Sequence, residues 1–247
     1  MKYISLFFFL SLLCSIVYAG SRDPNTPDSK YIEYGKKFNC IGKIHGTYKD
    51  KKQFFASGVA IDSHHVLTAA HAVKDSISCN FILSDGKSVC LKDVTYHKNF
   101  KEIIFGKYDI AIGYTEEDIG LDFYPDLYET EDEVNKLCSI SGYGFYGTFD
   151  TGAIHSDGNR RAGSNVIDYI DNDLLICSPS RTERMTELEF IIGTGDSGGG
   201  LFIENRLAGI NSCVLARDNK PNSSYNDESG HTRISKYKEW IRENKTR

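Results

Sequence analysis

From Tyr31 onward the chain carries its apolar residues in short runs or alternating stretches, each broken by turn-forming residues. Strands are predicted over 41–44, 54–61 and 66–69, with Asp62-Ser63 marking a turn. Residues 81–83 and 89–96 flank Asp85-Gly86, a strong hairpin signal, and strands over 103–105 and 110–114 follow. An acidic segment, 116–133, has little strand character and contains Pro125, so it is the expected connection between two lobes. Strand signals resume over 137–143, 166–170, 174–177, 201–203 and 207–211, with Asn205-Arg206 as the turn of the last hairpin. Many short strands without intervening amphipathic helices predict an all-β sandwich or pair of barrels. The end differs: Ser235 can cap a helix over 235–244 whose Tyr237, Trp240 and Ile241 share one face.

Composition adds an address. Lys2 followed by an apolar run over 4–17 and then Val17-Tyr18-Ala19 has the layout of a secretory signal peptide over 1–19. The run falls short of the roughly 20 apolar residues a membrane span needs, and no later stretch is long enough. A secreted location is therefore expected, extracellular or, in a bacterium, periplasmic. Residues 20–30, with two prolines and no apolar period, read as a flexible lead-in or short propeptide. The remainder, 31–247, divides into a first lobe over about 31–120, a second over about 134–234 and the helix. A formal net charge of −5 argues against a nucleic-acid partner.

Without Cys14, the cysteines are Cys40, Cys79, Cys90, Cys138, Cys177 and Cys213, an even set that in an exported chain favours disulfides. Six cysteines allow fifteen pairings; the hairpin makes Cys79 with Cys90 the easiest to imagine. No cysteine or histidine spacing suits zinc, and His64-His65 reads as a polar turn, so neither metal nor cofactor is expected. Asn222-Ser223-Ser224 and Asn244-Lys245-Thr246 are glycosylation acceptors if the source is a eukaryote.

The chemistry concentrates in Gly193-Thr194-Gly195-Asp196-Ser197-Gly198-Gly199-Gly200. Five glycines in eight residues cannot lie inside a helix or strand, so this is a shaped loop. Such a loop can expose a serine and aim backbone N–H groups at a developing negative charge. Besides a plain surface turn, two hydrolase designs fit. The nucleophile elbow of α/β-hydrolases needs a helix after the serine and an acid and histidine downstream, for which Asp218, Asp227 and His231 are available. Against it, Leu201-Phe202-Ile203 reads as a strand and the βα alternation is missing. The other design needs a histidine and an aspartate upstream. Thr68-Ala69-Ala70-His71 ends an apolar strand, and Tyr108-Asp109-Ile110-Ala111-Ile112 places an acid at the start of another.

These three blocks, in this order and at these separations, resemble the trypsin/chymotrypsin-like serine peptidases. Cys138-Ser139-Ile140-Ser141-Gly142-Tyr143-Gly144, Gly209-Ile210-Asn211-Ser212 and the Thr232-Arg233-Ile234-Ser235 ending strengthen the resemblance, which covers about 31–243. It implies an all-β fold of two packed six-stranded antiparallel Greek-key barrels with a C-terminal helix. It further implies a secreted serine endopeptidase with Ser197 as nucleophile, His71 as general base and acid, and Asp109 orienting the imidazole. Ser212 would support the acid, and the N–H groups of Gly195 and Ser197 would form the oxyanion hole. Asp196 would pair with an N-terminal ammonium made by activating cleavage, for which Lys30–Tyr31 is the conceivable site. Ile191, Val214 and Gly230 would shape the specificity pocket, favouring small or medium apolar residues. Expected partners are protein or peptide substrates and protein inhibitors, with no nucleic acid, no membrane and a monomeric chain. The departures are Ala72 after the histidine, no cysteine before Thr194 and Gly200 in place of proline. The rival from another class is a non-catalytic binding protein on the same fold.

Overall fold

The computed structural model describes residues 20–103 and 106–245. The predicted signal peptide, the last two residues of the predicted strand 103–105, and Thr246 of the second glycosylation acceptor lie outside the described residues.

Two large antiparallel sheets dominate. The first is built from β2 (Ile41–Tyr48), β3 (Gln53–Ala60), β4 (His65–Thr68), β5 (Ser76–Ile82), β6 (Ser88–Leu91), β7 (Asp93–Tyr96) and β8 (Ala111–Tyr114). The second contains β9 (Leu137–Gly142), β12 (Arg161–Val166), β13 (Tyr169–Asp171), β14 (Leu174–Cys177), β16 (Gly200–Ile203), β17 (Arg206–Ala216) and β18 (Asp227–Arg233). A small third sheet joins β1 (Gly20–Arg22), β10 (Tyr146–Thr148), β11 (Gly152–His155) and β15 (Phe190–Ile191). The helices are α1 (Asp28–Gly35), the single turn α2 (Ala70–Val73) and α3 (Ile234–Asn244).

Each large sheet has seven strands rather than six, and the difference is how it closes. β6 and β7 occupy opposite edges of the first sheet but are separated in sequence only by Lys92, whose N–H donates to Tyr114 O at 2.8 Å. One bent run therefore serves both edges. In the second sheet β12 and β13 do the same around Ile167 and Asp168: Ile167 N–H donates to Lys136 O at 3.0 Å and Asp168 N–H to Ile176 O at 2.8 Å. Closure removes the open edges that would otherwise template pairing with another chain. The two-barrel, all-β architecture is as the sequence implied.

The C-terminal helix follows the second barrel yet packs against the first. Ile234, Tyr237 and Ile241 are buried in the same apolar cluster as Ile41, Leu67 and Ile110. It starts one residue earlier than predicted, and Ser235 is not its cap: the Ser235 hydroxyl donates to Glu133 Oε1 at 2.7 Å. Glu133, fully buried at the end of the acidic connection, also receives Arg233 Nε at 2.8 Å and Nη2 at 2.7 Å.

Three expectations are corrected. Residues 20–30 are no flexible lead-in: Gly20–Arg22 is a paired strand, and α1 begins at Asp28. Tyr31 lies within α1 with no exposed surface, its hydroxyl donating to Glu189 O at 3.2 Å, so Lys30–Tyr31 is not presented as a cleavage site. All six cysteines among the described residues are free. Cys79 pairs in register with Leu91 and Asn80 with Cys90, so the Cys79 and Cys90 side chains leave opposite faces of the hairpin, one buried and one exposed. Cys138 and Cys177 meet instead inside the second barrel, their sulfurs 3.8 Å apart.

Candidate active site

His71 sits in α2, one residue past its start. The small side chains of Ala69, Ala70 and Ala72 let this turn press into the first barrel core, where all three are buried. Asp109 follows Tyr108, whose left-handed φ of 57° and N–H donation to the Tyr237 hydroxyl at 3.1 Å fix the turn ahead of β8. The two side chains meet. Asp109 Oδ1 accepts the His71 main-chain N–H at 2.8 Å, and Oδ2 lies 2.7 Å from His71 Nδ1. Across the ring, His71 Nε2 lies 3.0 Å from Ser197 Oγ.

The second barrel grips the acid as well. The Ser212 hydroxyl, on β17, donates to Asp109 Oδ2 at 2.6 Å, and that of Thr232, on β18, donates to Asp109 O at 2.9 Å. The first barrel grips the serine loop in return. Ser57 N–H donates to Ser197 O at 2.8 Å, while the Ser57 hydroxyl donates to Gly195 O at 2.8 Å and accepts Tyr143 N–H at 2.9 Å. Ser197 thus hangs between lobes that hold each other's functional loops.

The electrostatics follow from burial and partners. Asp109 is 3 % exposed; burial would raise its pKa, but bonds from His71 and Ser212 hold the carboxyl below the usual carboxylate range. Crowding of the His71 imidazole pulls its pKa down, yet the Asp109 carboxylate outweighs this and leaves it raised above 6.5. An imidazole so placed can take a proton from Ser197 Oγ and hold it as an imidazolium against the buried acid.

In the loop itself, Gly195 and Gly198 have φ of 86° and 85°, where a side chain is strained. Gly198 is also a contact point between lobes: a Cβ there would lie 2.1 Å from Thr68 Oγ1 and 2.2 Å from Ser57 O. Among the described residues, neither the Gly195 nor the Ser197 amide donates a hydrogen bond, leaving both free to receive an acceptor. Asp196 points the other way, into the second barrel, 2 % exposed. Its Oδ1 accepts Gly144 N–H at 2.7 Å and Oδ2 accepts Gly193 N–H at 3.0 Å.

The three residues assigned to a pocket lie on three strands, β15, β17 and β18. Ile191 is fully buried on β15, paired with Ser21 of the neighbouring strand β1. Val214 and Gly230 lie on adjacent strands one step apart in register, Val214 opposite Ser229 and Gly230 opposite Cys213. Sequence reasoning missed Ser57 and Thr232, which bear on the site only through tertiary contact. It also missed β18, whose polar sequence Asp-Glu-Ser-Gly-His-Thr-Arg is buried throughout. That burial is tolerated because most of the polar groups are bonded, Asp227 Oδ1 excepted: His231 Nδ1 lies 2.9 Å from Asn211 Oδ1 and Nε2 3.0 Å from Ser229 Oγ. His231, a required member of the elbow design, is thereby committed to strand packing. Ser197 leads into antiparallel β16 rather than a helix, so the elbow design fails.

Two closed antiparallel barrels with a serine, a histidine and an acid converging at their junction define a chymotrypsin-like architecture. The Trypsin family model matches residues 34–241, and the chain belongs to that family. Among solved structures, a structure of HL collagenase is similar at 20 % identity and a TM-score of 0.69, covering 85 % of this chain and 94 % of that one. Neuropsin, a serine protease expressed in the limbic system of mouse brain, is similar at 19 % identity and a TM-score of 0.65, covering 84 % and 94 %. An inactivated protease paralogue of the scabies mite is similar at 17 % identity and a TM-score of 0.62, covering 85 % and 96 %. At these identities the likeness is one of fold, shared by active and inactivated proteins alike. No curated protein matches the chain in sequence.

Proposed function

We propose that the chain is a secreted serine endopeptidase acting through an acyl-enzyme on Ser197, with His71, Asp109 and Ser197 as its catalytic triad. The supporting observation is the continuous relay from Ser197 Oγ to His71 at 3.0 Å and from His71 to Asp109 at 2.7 Å. Ser197 Oγ attacks the scissile carbonyl carbon as its proton passes to His71 Nε2, and Asp109 stabilises the imidazolium. The Gly195 and Ser197 N–H groups receive the oxyanion, each such donor supplying about 3–4 kcal/mol of transition-state stabilisation. His71 then protonates the departing amine, and water, deprotonated by His71, releases the acyl group. Substrates are proteins or peptides. An apolar Ile191, in place of an acid, and Val214, in place of a glycine, support a preference for small or medium apolar residues before the scissile bond, which a peptide-library profile dominated by Lys or Arg would overturn.

A fluorophosphonate probe tests the chemistry. Labelling of the wild type at Ser197, abolished in His71→Ala, is expected. A folded protein that takes no label would instead be a binding member of the family, the reading that the likeness to an inactivated paralogue keeps in view.

A further inference from the structure

Asp196 is a buried carboxylate held by two amide donors, and among the described residues no ion pair includes it. The nearest charged group that bears on it is Arg161, whose guanidinium is taken up by Asp28 Oδ2 at 2.7 Å and Asp157 Oδ2 at 2.8 Å. Gly142, Gly144 and Gly193 surround the carboxylate, and none carries a charge. The remaining neighbour is Gly20. Its main-chain N–H reaches the Asp196 carboxylate as a donor. A Cβ at position 20 would lie 2.7 Å from Asp196 Oδ2 and 2.7 Å from Phe190 Cζ, so the main chain of Gly20 closely approaches the carboxylate. β1 fixes the position in register, pairing parallel with β10 and antiparallel with β15.

Gly20 is also the residue that follows Ala19, where the sequence predicts signal-peptide cleavage. We infer that removal of the leader is itself the activating cleavage: it leaves the Gly20 ammonium against Asp196, and the enzyme is exported already active, with no separate zymogen stage. The inference rests on the peptidase reading above. Water hydrolyses the Ala19–Gly20 amide bond under the peptidase that removes leaders, giving a carboxylate on Ala19 and an amine on Gly20 that takes up a proton. The amide dipole facing Asp196 becomes a full positive charge at the same place. That pair pins the loop through Asp196, one residue from each oxyanion donor. Without it the buried carboxylate has no ion-pair partner: burial raises its pKa to about 6 despite the Gly144, Gly193 and Gly20 donors and the field of Arg161. Tyr31, eleven residues on and locked in α1, cannot take this role without unfolding.

The test compares a chain beginning at Gly20 with one that retains Ala19, both made free of the rest of the leader. Fluorophosphonate labelling of Ser197 is expected to be about 100-fold faster or more in the Gly20 form, the scale set by leaving a buried charge without its partner. In an Asp196→Asn background the retained Ala19 should cost nothing further. Independently of catalysis, the Gly20 amine should react with an N-hydroxysuccinimide acetate at least about tenfold more slowly than exposed Lys30 or Lys37 in the folded protein. Equal labelling of the two forms overturns the inference and leaves the peptidase reading intact. An amine as reactive as those lysines overturns the insertion itself. A protected amine with no labelling of either form overturns the activating role together with the peptidase reading.

Discussion

Replacing Asp109 by asparagine preserves shape and removes charge, and the contacts decide how the amide must sit. Two donors cannot turn away: the His71 main-chain N–H at Oδ1, and, in the working tautomer, Nδ1–H at Oδ2. An asparagine has one acceptor oxygen. Placed at Oδ2, it keeps Nδ1–H but sets its NH₂ against the backbone N–H in a site 3 % exposed, costing about 1–3 kcal/mol. Placed at Oδ1, it satisfies the backbone, and the Ser212 hydroxyl can rotate to accept from the NH₂. The second arrangement wins, but the NH₂ then faces Nδ1, which must accept. The imidazole proton moves to Nε2, the nitrogen 3.0 Å from Ser197 Oγ, and the base is lost. A kcat loss of about 10⁴ is expected, about 5.4 kcal/mol of transition-state stabilisation, with KM little changed. The pH profile provides a second readout. Because neutral His71 is the base, wild-type kcat/KM should rise with pH through a pKa above 6.5. The Asp109→Asn change removes the carboxylate that outweighs the crowding, so this limb should move down. The assay is steady-state hydrolysis of a chromogenic peptide across pH 5–9, with a thermal melt confirming that the variant is folded. A folded variant within tenfold of wild-type kcat, or with an unmoved limb, would refute the orienting role of Asp109.

Gly198→Ala should part the barrels at the active-site seam: about 1–3 kcal/mol of overpacking against Thr68 and Ser57, plus strain at positive φ, lowers the melting temperature, and kcat falls at least about tenfold. Glu133→Ala leaves Arg233 with only its longer ion pair to exposed Glu131 at 3.4 Å and should cost up to about 3–5 kcal/mol, read as about 2–4 °C of melting temperature per kcal/mol, with little effect on kcat; a change under 1 kcal/mol would show the pair is dispensable. In the chain retaining Ala19, Asp196 has a folded pKa raised to about 6 above its unfolded 3.8, so its contribution is present below 3.8 and lost as pH rises through 6. That chain should melt lower than the Gly20 form at pH 8, and the gap should close toward pH 4. Peptide mapping without reductant should find no Cys79–Cys90 bridge, since the two side chains face opposite ways.

The strands of both barrels were legible where apolar residues recur at period two or in buried runs, and the three candidate catalytic residues stood out by order and spacing. Where burial is carried by hydrogen bonds the pattern disappears. β18 is polar in sequence and buried in fact because Asn211, Asp109 and Glu133, distant in the chain, supply its partners. The same holds for Gly20: nothing in a polar, proline-containing stretch announces a strand, because β1 is stabilised by the edges of β10 and β15. Local periodicity was enough for an all-β chain, sandwich or barrels, and residue type for the loop of glycines and the available serine, histidine and acid; the choice of two barrels came with the family resemblance. What each of them touches is a matter of tertiary contact: Ser57 and Ser212 reach across the lobes, the hairpin cysteines part, and Gly20 rather than Tyr31 lies against Asp196. Such contacts join residues far apart in the chain, and no local propensity encodes them.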